Sequence, residues 1–110
     1  MAEPGPPPIL TPRGIVLIYN GADDKLVYRT GIAVFDRSDP RKLIWCTDQP
    51  VFAPEKEWER VGQVPNVVFV EAMVPVPDKS AEDAADRRDY FLFYYGAADK
   101  YVGAAEAPAN

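Results

Sequence analysis

The apolar positions of this chain fall into short runs, rich in branched and aromatic side chains, that are broken repeatedly by proline, glycine or clustered charge. Residues 15–19, Ile-Val-Leu-Ile-Tyr, form one continuous apolar stretch, which predicts a strand covered on both faces. Asn20-Gly21 and then Asp23-Asp24 close it as turn signals. Further strands are predicted over 26–35 and over 42–47, the latter anchored by Trp45. Segment 50–64 carries the mixed-charge run 55–60 and is expected to be a solvated loop, with a single helical turn around Trp58 as the alternative. A strand over 67–76 is apolar apart from Glu71, and aromatic-rich residues 90–95 and a short segment 101–105 complete the set. Between them lies a polar insertion, 77–89, in which Ser80 and Asp83 match a capping box and Arg87 and Arg88 suit a helix C-terminus, so that a short helix and an exposed loop are both open. The fold class this pattern predicts is all-β.

One repeat organises the whole. Leu17-Ile18-Tyr19-Asn20-Gly21-Ala22-Asp23-Asp24-Lys25-Leu26-Val27 aligns without a gap on Leu92-Phe93-Tyr94-Tyr95-Gly96-Ala97-Ala98-Asp99-Lys100-Tyr101-Val102. A strand ending in Tyr-x-Gly-Ala-x-Asp-Lys is thus used twice, each time between other strands. This is the habit of a β-propeller, whose units are small antiparallel sheets that cover one another's faces. Two blades are expected, one at about 5–53 and one at about 65–106, joined by a loop at 54–64.

Composition narrows the chemistry. The chain has 110 residues and a formal net charge of -5, a balance that disfavours nucleic acid as a partner, since phosphate neutralisation needs a basic face. Twelve prolines suit short segments and many turns. There is no histidine, which removes Ser-His-Asp and Cys-His catalysis and His-containing zinc sites, and no metal site is assigned. The single cysteine, Cys46, cannot form an internal disulfide and is expected to be a small core residue. No apolar run reaches the roughly 18 residues of a membrane span, and residues 1–8 do not resemble a secretory leader, so the expected location is the cytoplasm, with no membrane partner.

Five strings, taken in order, resemble the C-terminal part of the bacterial β-mannoside phosphorylases and mannosidases of glycoside hydrolase family 130. They are Gly5-Pro6-Pro7-Pro8-Ile9, Leu17-Ile18-Tyr19-Asn20-Gly21, Tyr28-Arg29-Thr30-Gly31, Val64-Pro65-Asn66-Val67-Val68-Phe69 and Tyr94-Tyr95-Gly96-Ala97-Ala98-Asp99. The resemblance implies about two blades of a five-bladed β-propeller with sugar bound at the central opening. It also implies an inverting transfer in which phosphate attacks the anomeric carbon while an aspartic acid protonates the departing oxygen. Inorganic phosphate is then a co-substrate, no other cofactor is needed, and the partner is a mannose-containing oligosaccharide. A β-mannosidase using water, and a noncatalytic carbohydrate-binding or structural propeller fragment, are the alternatives. The family's acid and most of its phosphate ligands fall ahead of the region matched, so no catalytic residue is assigned here.

The residues that match are candidates for binding. Asp99 matches the family carboxylate that accepts hydrogen bonds from mannosyl hydroxyls; the competing reading is a turn cap, as for Asp24 in the sister repeat. Asn20 stands where family phosphorylases usually place a phosphate-holding histidine, and it reads either as a phosphate ligand or as a hairpin-turn residue. Asn66 is either a substrate contact or a turn residue satisfying backbone. Tyr28 and Arg29 reach the acceptor sugar or phosphate, or else pack across strands. Glu71, alone in an apolar run, faces the central channel or pairs with an arginine. Exposed blade edges are an expected route to self-association.

Overall fold

The computed structural model describes residues 1–79, 82 and 89–108. The capping-box residues Ser80, Asp83, Arg87 and Arg88 lie outside the described residues. Among the described residues, eight strands and one helical turn follow in the order β1 (Ala2–Pro4), β2 (Ile9–Thr11), β3 (Gly14–Ala22), β4 (Tyr28–Phe35), β5 (Leu43–Cys46), α1 (Glu57–Arg60), β6 (Val68–Val76), β7 (Tyr90–Ala97) and β8 (Tyr101–Pro108). They form two antiparallel sheets. In the first, β1 and β2 both pair with β3, which pairs with β4 and then β5; in the second the order is β6-β7-β8.

Each sheet is a meander, as the interrupted apolar runs require, and neither can bury both faces alone. They solve this by stacking. Ile18 from β3 joins Val68 and Val70 of β6 and Tyr95 and Ala97 of β7 in one core, with Ile32, Phe52, Met73, Phe93 and Ala105 packed around it. Backbone also crosses the seam: the Tyr28 N–H donates to the Asn66 carbonyl at 3.0 Å, and Tyr28 forms a parallel bridge with Val67.

Asn20 closes the seam from the side-chain direction, and here two expectations are corrected. It is not a turn residue, because β3 runs on to Ala22 and the chain reverses at 23–27. Nor does it face an opening. Asn20 is fully buried; its Oδ1 accepts from the Val70 N–H at 2.9 Å and from the Thr30 hydroxyl at 3.1 Å, while Nδ2 donates to the Val70 carbonyl at 2.9 Å. The amide thus copies a strand partner for Val70 and staples one sheet to the next, which leaves no face for phosphate.

The repeat is real as an arrangement of strands but slips by one residue. Tyr19 lies across the ladder from Gly31 and Tyr95 across from Gly103, and in both pairs the ring covers the glycine so closely that an added Cβ would sit 2.5 Å and 2.4 Å from Cζ. The structural partner of Tyr19 is therefore Tyr95, whereas the ungapped alignment pairs it with Tyr94. Side chains alternate along a strand, so a slip of one residue exchanges faces. Asn20 and Ile18 look forward onto the second sheet, while Tyr95 looks back onto the first.

Other expectations also change. Trp45 and Cys46, read as an anchor and a core residue, are exposed, because β5 is an edge strand that no other sheet covers among the described residues. Run 55–60, expected as loop, contains α1. The reason is Glu59: at the third helical position it reaches back so that Oε1 accepts from the backbone N–H groups of Glu55 and Lys56, both at 2.9 Å.

Candidate functional site

Beside the seam between the sheets lies a cleft of about 360 Å³, lined by Tyr28, Val64, Val67, Phe69, Glu71, Gly96 and Asp99. Phe69 and Glu71 lie two apart on β6 and both line the cleft, and the register of β6 against β7 shifts between Val70 and Ala72, a bulge that leaves Glu71 exposed at the wall. Gly96 faces Phe69 across the ladder, and a Cβ built there would meet nothing within 4 Å, so the missing side chain keeps the floor open.

Asp99 arrives on a strained turn. Ala98 and Asp99 have φ of 47° and 54°, and the Lys100 N–H closes onto the Ala97 carbonyl at 3.0 Å, which makes a tight turn of the type that needs two left-handed residues. Neither is glycine, so each costs about 1–2 kcal/mol and persists only where its surroundings hold it. They do so here. The Ala98 N–H donates to the Val67 carbonyl at 2.9 Å, the Ala98 carbonyl accepts from Val64 at 3.0 Å, and Gly62 packs so tightly that a Cβ would stand 2.5 Å from the Ala98 oxygen. Asp99 itself is exposed, and no hydrogen bond to its carboxylate is found among the described residues. The turn-cap function expected of Asp24 in the other hairpin belongs to Asp23, whose Oδ1 accepts from Lys25 and Val27 at 2.9 and 3.1 Å.

The cleft brings Tyr28, Glu71 and Asp99 together, while the remaining candidates part from them. Asn66 is exposed and is not among the residues lining the cleft; its φ is 59°, and its carbonyl and N–H are spent on Tyr28 and on the Arg60 carbonyl. Arg29 follows Tyr28 on β4 but lines a separate pocket with Thr47, Asp48 and Gln49, and its guanidinium binds Asp23 at 2.7 Å. That hydrogen bond, aided by backbone donors, lowers the Asp23 carboxyl to about 2. Glu71, for its part, pairs with no arginine among the described residues. No Lys or Arg lines the cleft; its polar groups are a phenol and two carboxylates, set against apolar Val64, Val67 and Phe69. Such a set accepts hydrogen bonds from a neutral polyol and offers an apolar surface to its C–H face, and it repels an anion. Among the described residues no cluster could hold a metal ion.

Sequence reasoning missed one constellation entirely. Glu59 is 2% exposed, and its second oxygen accepts from the Tyr95 hydroxyl, which in turn accepts from Trp58 Nε1 at 3.4 Å. Burial pushes the Glu59 carboxyl up, but hydrogen bonds from Tyr95 and the backbone of Glu55 and Lys56 outweigh it and hold the group below the usual range. Burial, together with the Glu59 charge, raises Tyr95. A glutamate at the third position of a helical turn was the available signal.

The family model for β-1,4-mannooligosaccharide phosphorylases, glycoside hydrolase family 130, matches residues 1–110. The chain belongs to this family. It is 42% identical over 99 residues to a β-1,2-mannobiose phosphorylase of Thermoanaerobacter, covering 90% of this chain and 29% of that protein, and 32% identical over 104 residues to a β-1,4-mannooligosaccharide phosphorylase of Ruminococcus albus, covering 92% and 28%. Among solved structures, the β-1,2-mannobiose phosphorylase of Listeria innocua in complex with β-1,2-mannobiose superposes with a TM-score of 0.84 at 26% identity, over 97% of this chain and 27% of that one. A second family 130 structure, from work on glycoside hydrolases that target β-1,2 mannosidic linkages in Candida mannan, superposes at 0.80 with 37% identity over 98% and 30%. The chain therefore spans about 30% of the length of the relatives it matches, and its two sheets are part of the family's β-propeller. No helix among the described residues is long and apolar enough to cross a membrane.

Proposed function

We propose that this chain supplies part of the sugar-binding side of an inverting β-mannoside phosphorylase, with Asp99 accepting hydrogen bonds from mannosyl hydroxyls and Tyr28 and the exposed Asn66 contacting the same ligand. The observation that carries this is the Asp99 turn, where an exposed carboxylate, without a partner among the described residues, is held on two non-glycine residues of positive φ, in a cleft whose other lining groups are Glu71, the Tyr28 phenol and apolar Val64, Val67 and Phe69. Inorganic phosphate, as co-substrate, would be held by residues outside this chain. Arg29 would reach it only by leaving Asp23. The catalytic acid is likewise assigned to no residue here, and a cytoplasmic setting accords with the exposed, unpaired Cys46.

One observation favours hydrolysis as the second reading. Asn20, at the position where the resemblance expects a phosphate-holding histidine, is consumed by the seam, and the cleft carries no cation. Water in place of phosphate would need neither. Sugar binding and turnover are tested separately. The chain, titrated with β-mannobiose and followed by intrinsic tryptophan fluorescence, is expected to bind weakly. Asp99→Gly, which adopts the positive φ of this position without strain, is expected to abolish that response while leaving stability within about 0.5 kcal/mol of wild type. Incubated with β-mannobiose, with and without phosphate, the chain is expected to release neither mannose 1-phosphate nor mannose, because inversion needs an acid and a held nucleophile on opposite sides of one sugar. Clear release of either product would show that the chemistry is complete in this chain.

A further inference from the structure

Four backbone hydrogen bonds connect the buried Glu59 to the turn that carries Asp99. The last turn of α1 presents its carbonyls to the following loop, Glu59 accepting from the Val67 N–H at 3.1 Å and Arg60 from the Asn66 N–H at 3.2 Å. That loop then grips the turn, Val67 accepting from the Ala98 N–H at 2.9 Å and Ala98 from the Val64 N–H at 3.0 Å. A four-residue helix has no intrinsic stability in water. Its geometry must come from outside, and the Glu59 side chain is what provides it, joining Glu55 and Lys56 at the start of α1 to the Tyr95 hydroxyl on β7. Tyr95 is itself immobilised, 4% exposed, with its ring packed nearly perpendicular to that of Phe52 at 4.8 Å between centroids and lying over Gly103.

We infer that Glu59 is a positioning residue for the cleft. Through Tyr95 and α1 it fixes loop 61–67 and so holds Asp99 in its left-handed turn at the cleft. A buried carboxylate with all these donors supplied is rigid, whereas one that loses a donor is costly, so the network has little freedom to relax by halves. The inference rests on the sugar-binding reading of the cleft, and the two can fail separately.

The experiment measures amide hydrogen exchange and β-mannobiose affinity on the 110-residue chain in Glu59→Gln, Glu59→Ala and Tyr95→Phe. Gln keeps an oxygen for the Glu55 and Lys56 amides and loses the charged acceptor for Tyr95, while Ala loses both. Exchange at Val64, Asn66, Val67 and Ala98 is expected to rise in the order wild type, Gln, Ala, by roughly two- to thirtyfold, with affinity falling by a similar factor. Control amides in the first sheet, Gly5 bonded to Ile18 and Asp36 bonded to Lys42, should stay unchanged. A uniform rise that includes the controls would reduce Glu59 to a general stabiliser, and unchanged exchange at the four amides would overturn the proposal. If Glu59→Ala does not fold, Tyr95→Phe decides on the same criteria. If wild type binds no β-mannobiose, the sugar reading falls, and the positioning claim falls with it only if the four amides also fail to respond.

Discussion

Removal of the Asn20 side chain is the sharpest probe of how the two sheets are joined. Asn20→Ala strips partners from the Val70 N–H, the Val70 carbonyl and the Thr30 hydroxyl in a region where Asn20, Val70 and Thr30 are at most 3% exposed. A buried backbone group left unpaired costs about 1–3 kcal/mol, and two are orphaned here, so a loss of about 2–4 kcal/mol is expected once some water enters. A chain of this size has on the order of 5–15 kcal/mol in total. Asn20→Asp should do comparable damage at neutral pH, since one oxygen then faces the Val70 carbonyl, and should recover in acid, where a protonated carboxyl can donate to it. Urea unfolding read by tryptophan fluorescence is the assay, because Trp45 reports from β5 of the first sheet and Trp58 from α1 against the second. In wild type the two should unfold together, and in Asn20→Ala they should separate, the seam no longer coupling them. A destabilisation below about 0.5 kcal/mol with coincident transitions would refute the staple and reopen Asn20 as a ligand.

Other outcomes follow from the same geometry. Gly103→Ala places a Cβ 2.4 Å from the Tyr95 ring and should destabilise by about 1–3 kcal/mol, moving the tryptophan emission transition to lower urea; an unaltered midpoint would mean that the ring has room. Asp23, lowered to about 2 by Arg29 and by backbone donors, contributes stability that is complete above its unfolded value of roughly 3.9 and is lost as pH falls through about 2. Carboxyl NMR should place its midpoint there, and Arg29→Gln should move it back up; a wild-type midpoint at the unfolded value would break the assignment.

The class of the fold was legible because it depends on local pattern. Apolar runs of strand length, interrupted by Pro and Gly, admit little besides short antiparallel strands, and repetition of Tyr-x-Gly-Ala-x-Asp-Lys marks two similar hairpins whatever their mutual position. The five strings were equally readable, since they are a property of residue order, and they led to the family that the whole-chain match establishes. What tertiary structure alone decided is which way each residue faces. One residue of slip between the repeats turns Asn20 forward into the seam and Tyr95 back against Glu59, and no periodicity distinguishes those two registers. The same applies to Tyr28 and Arg29, neighbours in sequence that line different pockets, and to Glu71, which a bulge directs to the cleft wall. Glu59 shows the limit most plainly. In sequence it is one charge in a mixed run that reads as solvated, and only the arrival of Tyr95 from 36 residues away makes burying it affordable.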